Sequence, residues 1–182
     1  MKKVLGIGNA LVDVLVQVES ELILNELQLP KGSMQLINTE RYLKIQKRLE
    51  SLNKQLTTGG SACNTILAIA NLGGQPGLIG KVGHDEMATF FADNCVRHDI
   101  KANLLHAEQL PTGVASTFIT PDGQRTFGTH LGAAATLTAD DIKAEWFEGY
   151  DYFYIEGYLV QNHALIRLSL IHISEPTRPR LI

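Results

Sequence analysis

Apolar and polar positions along this chain follow two alternating periods. Residues 4–8 (VLGIG) are a short apolar run closed by glycine, the pattern of a strand buried on both faces of a parallel sheet. Residues 11–18 (LVDVLVQV) become period-two near their end, which predicts a strand with one half-exposed face. Tyr42, Ile45, Leu49 and Leu52 then recur at helical spacing, with Lys44, Lys47, Arg48 and Glu50 on the opposite side. Ala62, Ile66, Ile69 and Ala70 predict a further helix, and Gly73 stands where a left-handed cap would end it. Residues 77–83 (GLIGKVG) read as another buried strand. Residues 84–98 read as the helix after it, with acids in the first turn where the helix dipole favours them. This strand-helix-strand order predicts an α/β fold with a doubly wound, mostly parallel sheet.

The rhythm breaks at residues 112–130. Residues 114–120 and 125–129 are β-rich runs flanking Pro121, Asp122, Gly123 and Gln124, a hairpin signal. With residues 11–18 and 34–37 they are expected to form one small sheet outside the main layer. Thr138 followed by Asp141 resembles a capping box with Asp in place of the usual Glu, and predicts a helix running through Trp146. Residues 151–156 complete the pattern as one more strand.

Composition narrows the function classes. A chain of 182 residues with 45% hydrophobic and 19% charged content can bury a sizeable core. A formal net charge of -3, with no Lys/Arg stripe, argues against nucleic-acid binding. The apolar start is interrupted by Asn9 and Asp13 and lacks a small-residue cleavage site, so no signal peptide is expected. No run approaches a membrane span. Cys63 and Cys95 fit a reducing, cytoplasmic setting better than a disulfide framework.

Candidate chemistry concentrates at residues 57–74. Gly59 and Gly60 allow close backbone approach, and the amides of Ser61, Ala62 and Cys63 at a helix start can donate to an oxygen-rich ligand, with Asn64 adding a side chain that donates and accepts. The bland alternative is a tight strand-to-helix turn with a polar cap. GIGNAL lacks the third glycine of a dinucleotide fingerprint. His84 and Asp85 have no second pair at metal-ligand spacing, so Asp85 reads as a helix opener and no metal site is expected. Cys63 sits where a thiolate would be favoured, but no partner base is identifiable, and a buried structural cysteine is the preferred reading.

Taken together, residues 6–13 (GIGNALVD), 59–64 (GGSACN), 78–86 (LIGKVGHDE), and the PTGVAS and TFGTHLGAA stretches resemble, in order and spacing, the ribokinase-like (PfkB) family of carbohydrate and nucleoside kinases. The resemblance covers roughly residues 2–166. It implies a large α/β domain carrying a small β lid, with ATP and Mg2+ used to phosphorylate a hydroxymethyl group of a sugar or nucleoside. It implies that Asp13 grips substrate hydroxyls, that Asn9 sits beside it, and that Gly59, Gly60, Ser61 and Asn64 line the same pocket. GNALVD, Ser61 within the glycine motif and Met34 resemble the adenosine-kinase-like subgroup. Met34 has two readings, a side chain facing a base or a plain core methionine, and Arg125 likewise reads as a lid contact or an exposed hairpin residue. Lid sheets in this family often pair between subunits, which implies a candidate homodimer.

The chain also departs from the family. No segment matches the Gly-Ala-Gly-Asp run that carries the family's catalytic aspartate, so no catalytic residue is assigned and this fragment is expected to be inactive alone. Residues 168–178 resemble a translated sequencing-library adapter, and residues 167–182 are expected to be a non-native tail, irregular from 174 onward, leaving the strand at 152–156 with a bare edge. Two alternatives stay open: a non-catalytic sugar- or nucleoside-binding module, and a fructokinase- or ribokinase-type sugar kinase.

Overall fold

The structure is a computed structural model that describes residues 2–171 and 180–181. In chain order its elements are β1 (Lys3–Ile7), β2 (Leu11–Gln17), α1 (Leu22–Glu26), β3 (Met34–Leu36), α2 (Thr39–Leu49), β4 (Gln55–Gly59), α3 (Ser61–Asn71), β5 (Gln75–Val82), α4 (Glu86–Arg97), β6 (Lys101–His106), β7 (Gly113–Ile119), β8 (Arg125–His130), β9 (Tyr152–Ile155), α5 (His163–Ile171) and β10 (Arg180–Leu181). They make two five-stranded sheets. The main sheet has the order β10-β9-β1-β5-β6, every pair parallel. The second has the order β3-β8-β7-β2-β4 and mixes parallel and antiparallel pairs.

Alternation along β1 explains the layering. Val4 packs with Ile66, Leu78, Phe91 and Cys95 beneath α3 and α4, whereas Leu5 and Ile7 pack with Ile79, Phe147, Phe153 and Leu165 on the other face. A parallel sheet covered on both faces demands such continuous apolar strands. A separate cluster, with Val14, Val16, Val114 and Phe118 from the sheet and Ile23, Leu24, Ile45 and Leu49 from α1 and α2, covers one face of the second sheet.

The hairpin forms as its sequence indicates, with Phe118 opposite Thr126 across the turn. Thr138 and Asp141 do make the capping box, but the expected helix to Trp146 resolves into short 3-10 turns at Ala139–Asp141 and Ala144–Phe147. Asp141 is drawn onto Lys81 at 2.8 Å, and Ile142 turns extended (φ -91°, ψ 130°), which brings Ile142 and Trp146 against the Leu5 cluster. The strand edge expected to be bare instead pairs with Arg180 and Leu181, opposite Tyr152 and Phe153. The remainder of the segment expected to be irregular lies outside the described residues.

Asp85 opens α4 as its position suggests, accepting from the Ala88 amide at 2.9 Å. It also accepts from the Thr112 amide at 2.7 Å and the Thr112 hydroxyl at 2.6 Å, pinning the start of β7 to the β5–α4 turn. Thr112 is fully buried, so Asp85→Ala removes a cap and strands a buried amide. The expected loss is about 2–3 kcal/mol of unfolding free energy, read as a lower urea midpoint with unchanged m-value.

Candidate functional site

In the main sheet the chain leaves β1 toward β5 and β6, then returns to β9 on the other side of β1. The loops beyond β1 and β9 therefore diverge, and crevices at the carboxyl ends of parallel strands where the order reverses are where α/β sheets bind ligands. Asn9 follows β1 and Glu156 follows β9, so both stand at this point. The second sheet roofs the crevice, leaving a cavity of about 600 Å³. Asn9, Gly60, Ser61 and Glu156 line it from the main-sheet side, and Leu11, Met34, Leu36 and Thr129 line it from the second sheet.

Glu156 organises the floor. Only 1% exposed, it accepts through Oε1 from the Asn9 amide at 2.8 Å and the Asn9 side-chain Nδ2 at 2.5 Å. Its Oε2 accepts from the Ser61 hydroxyl at 2.9 Å and the Ala62 amide at 3.1 Å. The helix-start donors expected to await a ligand are thus partly taken by the chain's own carboxylate, whose charge suits the positive end of α3. Gly60 makes this possible: its φ of +91° turns the chain into α3, and a Cβ there would collide with the Asn9 carbonyl.

Asp13 lies in the second sheet. Pairing in register puts Leu36, Thr129, Ala115, Asp13 and Thr57 in one row across the strands. Directly paired residues share a face, so Asp13 lies on the face whose Leu36 and Thr129 line the cavity. A Cβ on Gly59 would collide with its carboxylate, so glycine lets Asp13 lie against β4. No hydrogen bond or ion pair to the Asp13 carboxylate exists among the described residues, and burial alone pushes its pKa up to about 6.

The structure therefore gathers Asn9, Met34, Gly60 and Ser61 at the cavity and places Asp13 and Gly59 on the adjoining sheet. Met34 is 50% exposed, which removes its reading as a core methionine. Asn64, exposed within α3, and Arg125, exposed at the start of β8, lie outside the cavity lining. Glu156 is the residue that sequence reasoning missed. Its signal was an acid directly after an apolar strand, at the strand's carboxyl end. The far wall, Ala134 to Leu137, is braced by Lys81 donating to the Thr136 carbonyl at 3.1 Å and by Asn162 Nδ2 donating to the Leu137 carbonyl at 3.1 Å.

Cys63 is buried, and burial pushes its thiol up to about 12, so it is a packing residue and not a nucleophile. Among the described residues no group of three or more His, Cys, Asp or Glu side chains could hold a metal ion, and no helix is long and apolar enough to cross a membrane. Among the described residues no Lys or Arg lines this cavity to meet the phosphates of ATP, and the one carboxylate in its lining, Glu156, already accepts from Asn9, Ser61 and Ala62 and is not free for a Mg2+ ion.

An ionised carboxylate can accept two hydrogen bonds from a ligand; a protonated one gives up that charge. If ligand binding requires the ionised form, affinity falls about tenfold between pH 7 and pH 5, and Asp13→Asn abolishes that dependence, as isothermal titration would show. Because the folded-state pKa lies above the unfolded value of 3.8, Asp13 destabilises the fold progressively as pH rises from about 4 to 6. Asp13→Asn should therefore raise the unfolding midpoint at pH 7.

Comparison with known proteins supplies the context for this geometry. The model of the pfkB family of carbohydrate kinases matches residues 34–169. Aminoimidazole riboside kinase of Salmonella typhimurium is 34% identical over 105 residues, covering 54% of this chain and 31% of the relative. The solved adenosine kinase of Sinorhizobium meliloti is 30% identical with a TM-score of 0.78, covering 94% of this chain and 54% of that one. A probable sugar kinase from Rhizobium etli is 29% identical with a TM-score of 0.80, covering 94% and 53%. The chain thus spans about a third of that curated relative and about half of these solved structures.

Proposed function

We propose, starting from a chain that belongs to the pfkB family of carbohydrate kinases, that it forms the substrate-holding part of an ATP-dependent phosphotransferase acting on a hydroxymethyl group. The favoured substrate is a nucleoside of the adenosine kind, with a free sugar second. The observation that carries this reading is Asp13, a half-buried carboxylate beside the cavity with no hydrogen bond or ion pair among the described residues. A buried charge without a partner is costly unless a ligand supplies donors, and two adjacent hydroxyls do so. Asn9, Gly59, Gly60 and Ser61 complete the polyol contact, and Glu156 holds Asn9 and the start of α3 in place.

In a longer protein of this family, ATP with Mg2+ would supply the phosphoryl group. Transfer also needs charge stabilisation around that group and a carboxylate to take the hydroxyl proton. Among the described residues the cavity lining offers no Lys or Arg, and Glu156 is already committed to Asn9, Ser61 and Ala62. Residues 1–182 alone therefore bind and do not transfer, which also favours the second reading of this chain as a sugar- or nucleoside-binding module. Incubation with labelled ATP and adenosine, ribose or fructose tests both parts. No labelled product is expected from residues 1–182, and product is expected from a protein that carries residues 1–166 and continues to the full length of its solved relatives. Product from residues 1–182 would overturn the division of labour, and none from the longer protein would overturn the kinase reading.

A further inference from the structure

A second cavity, of about 290 Å³, shares Leu36, Thr129 and Leu131 with the main one. Leu36, Leu110 and Leu131 give it an apolar body, and among the described residues no Lys, Arg, Asp or Glu lines it. A charged ligand would find no partner there.

His130 ends β8 and borders this cavity. The residue is 6% exposed, its imidazole stacks on the Tyr42 ring with centroids 4.6 Å apart, and its Nε2 lies 3.3 Å from the Thr39 hydroxyl. Its Nδ1 is buried and has no hydrogen-bond partner among the described residues. Buried polar atoms are ordinarily paired, so a bare ring nitrogen in a side chain that lines a cavity marks a polar contact still lacking its other half. Burial holds the His130 imidazole below its ordinary pKa, and a neutral imidazole has one nitrogen that donates and one that accepts. A carboxamide answers either arrangement, because it carries both a donor and an acceptor.

We infer that this second cavity is a binding site for a small neutral molecule built from one ring and a carboxamide, the ring against Leu36, Leu110 and Leu131 and the amide on His130. The volume, at the lower end for ligand pockets, limits the occupant to about one ring. The site is separate from the polyol site, and its test does not depend on that reading.

Equilibrium dialysis of residues 1–182 against labelled nicotinamide tests the assignment, with a dissociation constant of about 1 mM or tighter expected for so small a ligand. Nicotinate, which replaces the amide with a charged carboxylate, should bind at least about tenfold more weakly. His130→Phe keeps a ring beside Tyr42 and removes both nitrogens, so nicotinamide affinity should fall about tenfold while the urea midpoint of the variant is no lower than the parent's. Leu110→Ala, at a residue 36% exposed, should weaken nicotinamide about threefold through lost apolar contact. Met34→Ala, in the wall of the main cavity alone, should leave nicotinamide affinity within about twofold. No binding by the parent overturns the site, as does equal affinity for nicotinate or unchanged affinity in both His130→Phe and Leu110→Ala. A loss confined to Met34→Ala would place the ligand in the main cavity and overturn it as well.

Discussion

Glu156→Ala is expected to lower unfolding free energy by about 3–4 kcal/mol. Four donors from two separate segments converge on this one carboxylate, and it is 1% exposed. Removing it leaves the Asn9 and Ala62 amides without their partner, at a cost that compounds the lost charge-assisted bonds. Glu156→Gln separates shape from charge. Its amide keeps one acceptor but turns donors toward whichever pair loses an oxygen, so a loss of about half that size is expected. Urea unfolding followed by circular dichroism reads both. A Glu156→Ala protein within about 1 kcal/mol of the parent would mean that the carboxylate does not tie β9 to β1 and α3.

Gly60→Ala is expected to cost about 3 kcal/mol or more, by a different route. At φ +91° and ψ 136° the backbone is in a region that side chains rarely enter, and the new methyl group would strike the Asn9 carbonyl, which is main chain and has little room to yield. Gly73→Ala is the internal control. Its φ is +81°, but a Cβ there meets nothing within 4 Å, so it carries backbone strain alone, about 1–2 kcal/mol. Equal midpoints for the two variants would show that strain, and not the approach of Asn9, is the reason for glycine at position 60. Because Asn9 is also held by Glu156, Gly60→Ala and Glu156→Ala together should cost less than the sum of the two.

Much of this arrangement was legible in the chain, for physical reasons that also mark where legibility ended. β1 and β5 are buried on both faces, so continuous apolar runs announced them, and turn chemistry around Asp122 and Gly123 announced the hairpin. β4 and β6 escaped notice. Gln55, Thr57 and Thr58 supply little apolar signal, and β6 is half-exposed along its middle at the sheet edge, so neither shows a clear period. The helix expected after Thr138 failed because Asp141 answers to Lys81, distant in sequence. The site divided in the same way. The glycine pair was visible from its local pattern at a helix start, whereas Asn9 and Asp13 were named only through the resemblance of residues 6–13 to a kinase family. Glu156 was invisible because its partners lie 94 to 147 residues earlier.

A crystal structure of residues 1–182 grown with adenosine measures the central claim most directly. The account predicts ligand density in the cavity between the two sheets, with ribose hydroxyls donating to Asp13 and the sugar resting over Asn9 and Ser61. Density at any other surface, or a ribose whose hydroxyls turn away from Asp13, would contradict it.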